Sequence, residues 1–116
     1  MVILMRVLVG ISGFLAVAMG AVGAHAVADV HGAEMVRQAA LYHLVHTVVL
    51  LLLMERVGRI VTVVRILMAL GILLFSGLIY VKYMVGMNMP AGMIPAGGIC
   101  LMLGWLGIAL MGAVKR

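Results

Sequence analysis

Acidic side chains are scarce in this chain: Asp29, Glu34 and Glu55 are the only carboxylate residues, and 9% of the 116 residues are charged. Soluble globular domains carry about 25% charged residues, so an ordinary soluble domain is excluded. Cysteine occurs once. Cys100 can form no internal disulfide, and a lone thiol inside an apolar run reads as a small apolar residue. Serine is limited to Ser12 and Ser76, with no carboxylate at a matching depth to orient a histidine, which argues against a hydrolase. Eight Lys and Arg give a net charge of +5, but they form no dense run with interleaved aromatics, so no nucleic-acid partner is expected.

What the chain has instead is 67% hydrophobic residues. It reads as one all-α membrane domain over residues 1–116, a bundle of four transmembrane helices. Val7 to Ala28 contains no charged residue and reaches about 33 Å at a rise of about 1.5 Å per residue, enough for a span. Arg6 before an apolar run that ends in Ala24-His25-Ala26 also fits a secretory leader; the expectation taken is a retained span. Ala16, Gly20 and Ala24 recur every four positions and offer a neighbour close approach. Asp29 to Arg37 reads as a short polar turn, and the second span follows at about residues 38–54.

The third span is expected at about residues 61–85, with Arg65 and Lys82 snorkelling to opposite surfaces and Ala69, Leu73, Ser76 and Tyr80 on one face. Asn88 and Pro90 mark a turn, and Pro95 suits the first turn of a fourth span at about 94–114. There Gly97, Leu101, Gly104, Ile108 and Gly112 share a face. Arg6, Arg56, Arg59, Arg65, Lys115 and Arg116 fall on one side of this topology, and only Arg37 and Lys82 on the other. That bias places both termini in the cytoplasm.

Gln38 to Met54 is apolar enough to cross a membrane yet carries Tyr42, His43 and His46. Imidazoles inside a span face protein rather than lipid. His43 and His46 are three residues apart, so a helix puts them on one face, continued by Leu50 and Leu53. Counting depth along each span puts His25, His43, His46, Ser76 and Tyr80 in the outer half, where one shared interior could collect them.

Four motifs in order, Gly20-Ala21-Val22-Gly23-Ala24-His25-Ala26, Tyr42-His43-Leu44-Val45-His46, Leu74-Phe75-Ser76-Gly77-Leu78-Ile79-Tyr80 and Pro95-Ala96-Gly97-Gly98 with Gly104-Trp105, resemble the YgdD-like family of small inner-membrane proteins. The resemblance covers nearly the whole chain. It implies four spans in a bacterial inner membrane, with relatives in eukaryotic organelles, and no agreed activity. The methionine-rich outer loop departs from the family and borrows no role from it.

Several chemistries compete for the polar residues. A metal could use His43 and His46, or the thioethers of Met84, Met87, Met89 and Met93, which suit Cu(I). Haem fits poorly, because histidines on adjacent turns of one helix cannot face each other across a porphyrin. Quinone or lipid could lie among His25, His43, His46 and Tyr80. A proton-coupled transporter needs a carboxylate deep in a span, and none is present. The plainest account is structural: imidazoles bonded to Ser76, Tyr80 or a carbonyl lock helices together, and Gly20, Gly23, Gly77, Gly97, Gly98 and Gly104 pack them. The expectation is therefore a non-enzymatic accessory or scaffold subunit without cofactor. Its partners are membrane lipid and other membrane-protein subunits, and pairing of copies is also compatible.

Overall fold

The structure, a computed structural model, describes residues 2–113. Lys115 and Arg116 of the expected basic end lie outside them. Four helices dominate: α1 (Val2–His25), α2 (Val30–Leu53), α3 (Arg59–Val85) and α4 (Met93–Ala113), all long and apolar enough to cross a membrane. No strand occurs among the described residues.

The largest departure from the expected boundaries is at the start of α2. Asp29 to Arg37 is not a turn: Val30 onward is helical, and Asp29 is the N-cap, its Oδ2 accepting the Gly32 amide at 2.7 Å. An N-cap carboxylate satisfies one of the amides orphaned at a helix start, so the polar composition of this stretch marks a beginning. Tertiary packing then holds the added turns. Val36 is fully buried, and a Cβ on Gly23 of α1 would meet the Arg37 side chain at 2.8 Å.

At the other end of α3 the chain turns through Gly86, whose φ of 88° is the left-handed conformation that closes a helix without steric cost. Within α3 two segments, Ile72–Gly77 and Val81–Val85, are π-helical. This changes the buried face. The expected set of Ala69, Leu73, Ser76 and Tyr80 is replaced by Val61, Val64, Met68, Ile72, Ser76 and Ile79, while Ala69 and Leu73 are exposed. The wider turn, with its i→i+5 bonds, keeps residues spaced by four in line, which a regular helix does not.

Packing is sequential. α1 lies on α2, α2 on α3 and α3 on α4, with little direct contact between α1 and either α3 or α4 among the described residues. The body is correspondingly flat, 50 × 30 × 19 Å. A core of Val49, Leu53, Val61, Val64, Met68 and Leu101 joins α2, α3 and α4. α1 is the outlying member, with only Ala16 and Gly23 buried; Gly23 rather than Ala24 continues its packed face.

The α3–α4 joint runs in antiparallel register. A Cβ on Gly97 would strike the backbone of Leu74 and Phe75, one on Gly71 the Leu101 side chain at 2.5 Å, one on Gly104 Met68 at 2.8 Å, and one on Gly107 Val64 at 2.5 Å. Gly112, expected on the same face, has nothing within 4 Å. Gly20 and Gly98 make ordinary contacts with Ala40 and Phe75. Arg6, Arg56, Arg59 and Arg65 belong to one end of the molecule: Arg6 pairs with Glu55 at 2.6 Å, and Arg65 donates to the Leu53 and Arg56 carbonyls at 2.8 Å.

Candidate functional site: two polar joints on one helix

α2 carries the polar residues that reach its neighbours, and they divide between two directions. His43 and His46 are both buried, 6% and 5% exposed. Their rings nevertheless serve different helices.

The protons around His46 follow from its partners. Trp105 Nε1–H of α4 donates to His46 Nε2 at 3.0 Å, and an indole can only donate. Nε2 is therefore a lone pair, and the proton sits on Nδ1, which donates to the Tyr42 carbonyl at 2.6 Å. The Tyr42 ring stacks on His46 and tilts against Phe75 of α3.

The same reasoning orders the bonds at His43. Thr47 Oγ1 donates its only proton to the His43 carbonyl at 2.8 Å, so its contact with Ser12 Oγ at 2.7 Å must be donated by Ser12. Ser12 then has no proton left and accepts from His43 Nε2–H at 2.9 Å. His43 Nδ1 is left as an acceptor and takes the Tyr80 hydroxyl proton at 2.9 Å. The series Tyr80, His43, Ser12, Thr47 thus runs one way and links α3, α2 and α1.

That direction decides a chemical question. A serine nucleophile gives its proton to histidine, whereas here histidine donates to serine, and the other ring nitrogen faces a phenol rather than a carboxylate. The pair does not have the arrangement of a hydrolytic dyad. Ser76, fully buried, stands apart from both groups and donates to the Ala39 carbonyl at 2.8 Å. Among the described residues no buried side-chain nitrogen or oxygen lacks a partner.

Of the sequence candidates, the structure brings His43 and Tyr80 together and adds Ser12 and Thr47, which the sequence reading did not place there. It leaves out His25, exposed at the end of α1. The single interior expected for His25, His43, His46, Ser76 and Tyr80 is thus divided, because the His43 ring faces Ser12 of α1 and Tyr80 of α3 while the His46 ring faces Trp105 of α4. A signal for Thr47 was available: it lies four residues after His43, and a helical threonine commonly bonds the carbonyl four residues back.

No group of three His, Cys, Asp or Glu converges among the described residues. Both nitrogens of His43 and of His46 are engaged, so a metal there would displace a hydrogen bond. Met84 borders a cavity with Val22 and Asp29, Met89 a different one with Met35 and Pro95, and Met87 is exposed. Of the methionines expected as Cu(I) ligands, Met84 and Met89 thus border different cavities, and Met87 and Met93 are exposed. Gly77, expected to pack helices, meets only its own helix's Ile72 carbonyl, at 3.9 Å. It lines a cavity of about 280 Å³ between α1 and α3, whose few polar members are Ser12, His43 and Tyr80.

Comparison with known proteins agrees with a membrane protein. The chain is 33% identical over 118 residues to the UPF0382 inner membrane protein YgdD of Escherichia coli (strain K12), covering 96% of this chain and 89% of that protein. The YgdD protein of Shigella flexneri matches to the same extent. A UPF0382 membrane protein of Haemophilus influenzae is 32% identical over 108 residues, covering 88% of this chain and 87% of that one. No solved structure matches. Residues 19–98, which hold both polar joints apart from Ser12 and Trp105, match the family pattern described as protein of unknown function (DUF423). The chain belongs to this DUF423 family of inner-membrane proteins.

Proposed function

We propose that the protein is a non-enzymatic accessory or scaffold subunit of a larger inner-membrane assembly. The observation that carries this reading is that the buried polar groups are spent on one another. The His43 ring ties α2 to α1 and α3, the His46 ring ties it to α4, and every buried side-chain nitrogen and oxygen of the described residues already has a hydrogen-bond partner. The described chain is nearly all helix, and α1 keeps almost its whole length uncovered. We place the end bearing Arg6, Arg56, Arg59 and Arg65 on the cytoplasmic side, following the bias of basic residues in inner-membrane proteins. Crosslinking in intact membranes followed by gentle solubilisation tests the reading. Recovery with a reproducible membrane-protein partner supports it, and recovery always as an uncrosslinked monomer sinks it.

A second reading is favoured by the cavity beside Ser12, His43 and Tyr80: a module that binds a lipid-soluble molecule there. Saturable binding of any such molecule, lost when the cavity is filled, would promote it over the first.

A further inference from the structure

We infer that the cavity between α1 and α3 takes a lipid-soluble phenol, its ring among apolar side chains and its hydroxyl proton donated to Tyr80 or Ser12. This rests on the second reading above and narrows it to one chemical class.

Space comes first. α1 and α3 each lie against α2 and hardly touch each other, which leaves about 280 Å³ between them. Small-molecule pockets begin at roughly 300 Å³, so one ring fits while any tail stays in lipid. Leu8, Leu15 and Met19 of α1 form one wall, and a thioether such as Met19 makes favourable contacts with aromatic rings.

Valence gives the class. His43 has no spare capacity. Tyr80 and Ser12 have each donated their only proton, so what remains on both oxygens is acceptor capacity alone. A carbonyl or ester would place an acceptor against acceptors, whereas an O–H would find a partner. Ser12 and His43 lie close to the midpoints of α1 and α2, a depth phospholipid headgroups do not reach.

The third observation is independent of both. The α3 wall, Ile72, Leu73 and Gly77, lies in the π-helical segment, a departure from regular helix frequently found at functional sites. Gly77 makes that wall a recess. A Cβ there would meet nothing beyond ordinary contact with its own helix, so the glycine is not required for packing.

The test uses the whole chain in phosphatidylcholine nanodiscs and three probes with one skeleton: a decyl-substituted hydroquinone, its quinone, and its dimethyl ether. We expect the hydroquinone to bind about tenfold more tightly than the other two, the worth of one hydrogen bond in an apolar site. Gly77→Leu, which fills the recess, is expected to abolish that binding without lowering Tm. Leu73→Trp on the same wall is the second filling variant should the first fail to fold. Equal binding of all three probes, lost on filling, would overturn this inference and leave the second reading standing. No saturable binding would overturn both. A hydroquinone preference that survives filling would also overturn it, because the site would then lie elsewhere.

Discussion

The two faces of α3 are joined to their neighbours by opposite means. Toward α4 the contact is steric: glycines at 71, 97, 104 and 107 remove the side chains that would separate the helices, and among the described residues no side-chain hydrogen bond joins the two, Trp105 of α4 donating to His46 of α2 instead. Toward α2 and α1 it is polar, through Ser76 on a carbonyl and the directed series from Tyr80 to Thr47. In lipid neither joint draws on a hydrophobic driving force, since acyl chains are as apolar as leucine. The first works by dispersion at short range, the second by the cost of leaving a donor unpaired in hydrocarbon. The difference predicts how each fails. The glycine joint has no tolerance for added volume, and the polar joint none for a missing partner.

Gly97→Val should have the largest effect. Its Cβ would fall on backbone atoms of Leu74 and Phe75, which cannot rotate away, so a loss of about 3 kcal/mol, the upper part of the overpacking range, is expected in reversible unfolding in detergent. Gly98→Val beside it meets only the Phe75 ring, at 3.7 Å, and should cost far less. Comparable losses at both positions would show that helix propensity rather than close approach governs the joint.

Next comes His43→Ala, which strands the Tyr80 hydroxyl and removes the donor to Ser12; about 2 kcal/mol is expected from the cost of buried unpaired groups. Adding Tyr80→Phe should recover part of that loss, because the stranded hydroxyl goes too, and a strictly additive pair would contradict the assigned series. Trp105→Phe keeps a ring but removes one N–H bond to His46, so a loss of about 1 kcal/mol is expected. Nitrogen chemical shifts of ¹⁵N-histidine-labelled protein should show the proton on Nδ1 of His46 and on Nε2 of His43, and the reverse assignment at either ring would break the derivation. The smallest effect is expected at Gly112→Ala and Gly10→Ala, which face open space and should stay within about 0.5 kcal/mol of the parent.

Much of the polar joint was legible because buried imidazoles in a span are conspicuous. Val7 to Ala28 announced a helix by its apolar length alone, the span at about residues 61–85 needed Arg65 and Lys82 to snorkel, and Gly97 and Gly104 stood out by spacing. Asp29 to Arg37 misled, since helix-capping residues and turn residues have the same composition until a packed partner is known. Gly71 and Gly107 were not singled out, and Gly77 was assigned to packing. The π-helical turn from Ile72 rotated one face of α3, and nothing in its residues announces that turn.

The sequence by itself determined that the chain has four membrane-length apolar segments, that basic residues gather toward one end, and that imidazoles must find partners inside. Those are properties of composition and length, and lipid enforces them on any chain. Only the tertiary structure decided that His43 sits between α1 and α3 while His46, one turn on, faces α4, so that the two rings serve different helices. Which nitrogen carries each proton was decided there as well, because a histidine's tautomer is set by the donors and acceptors around it, and all of these but the Tyr42 carbonyl arrive from residues 31 to 59 positions away.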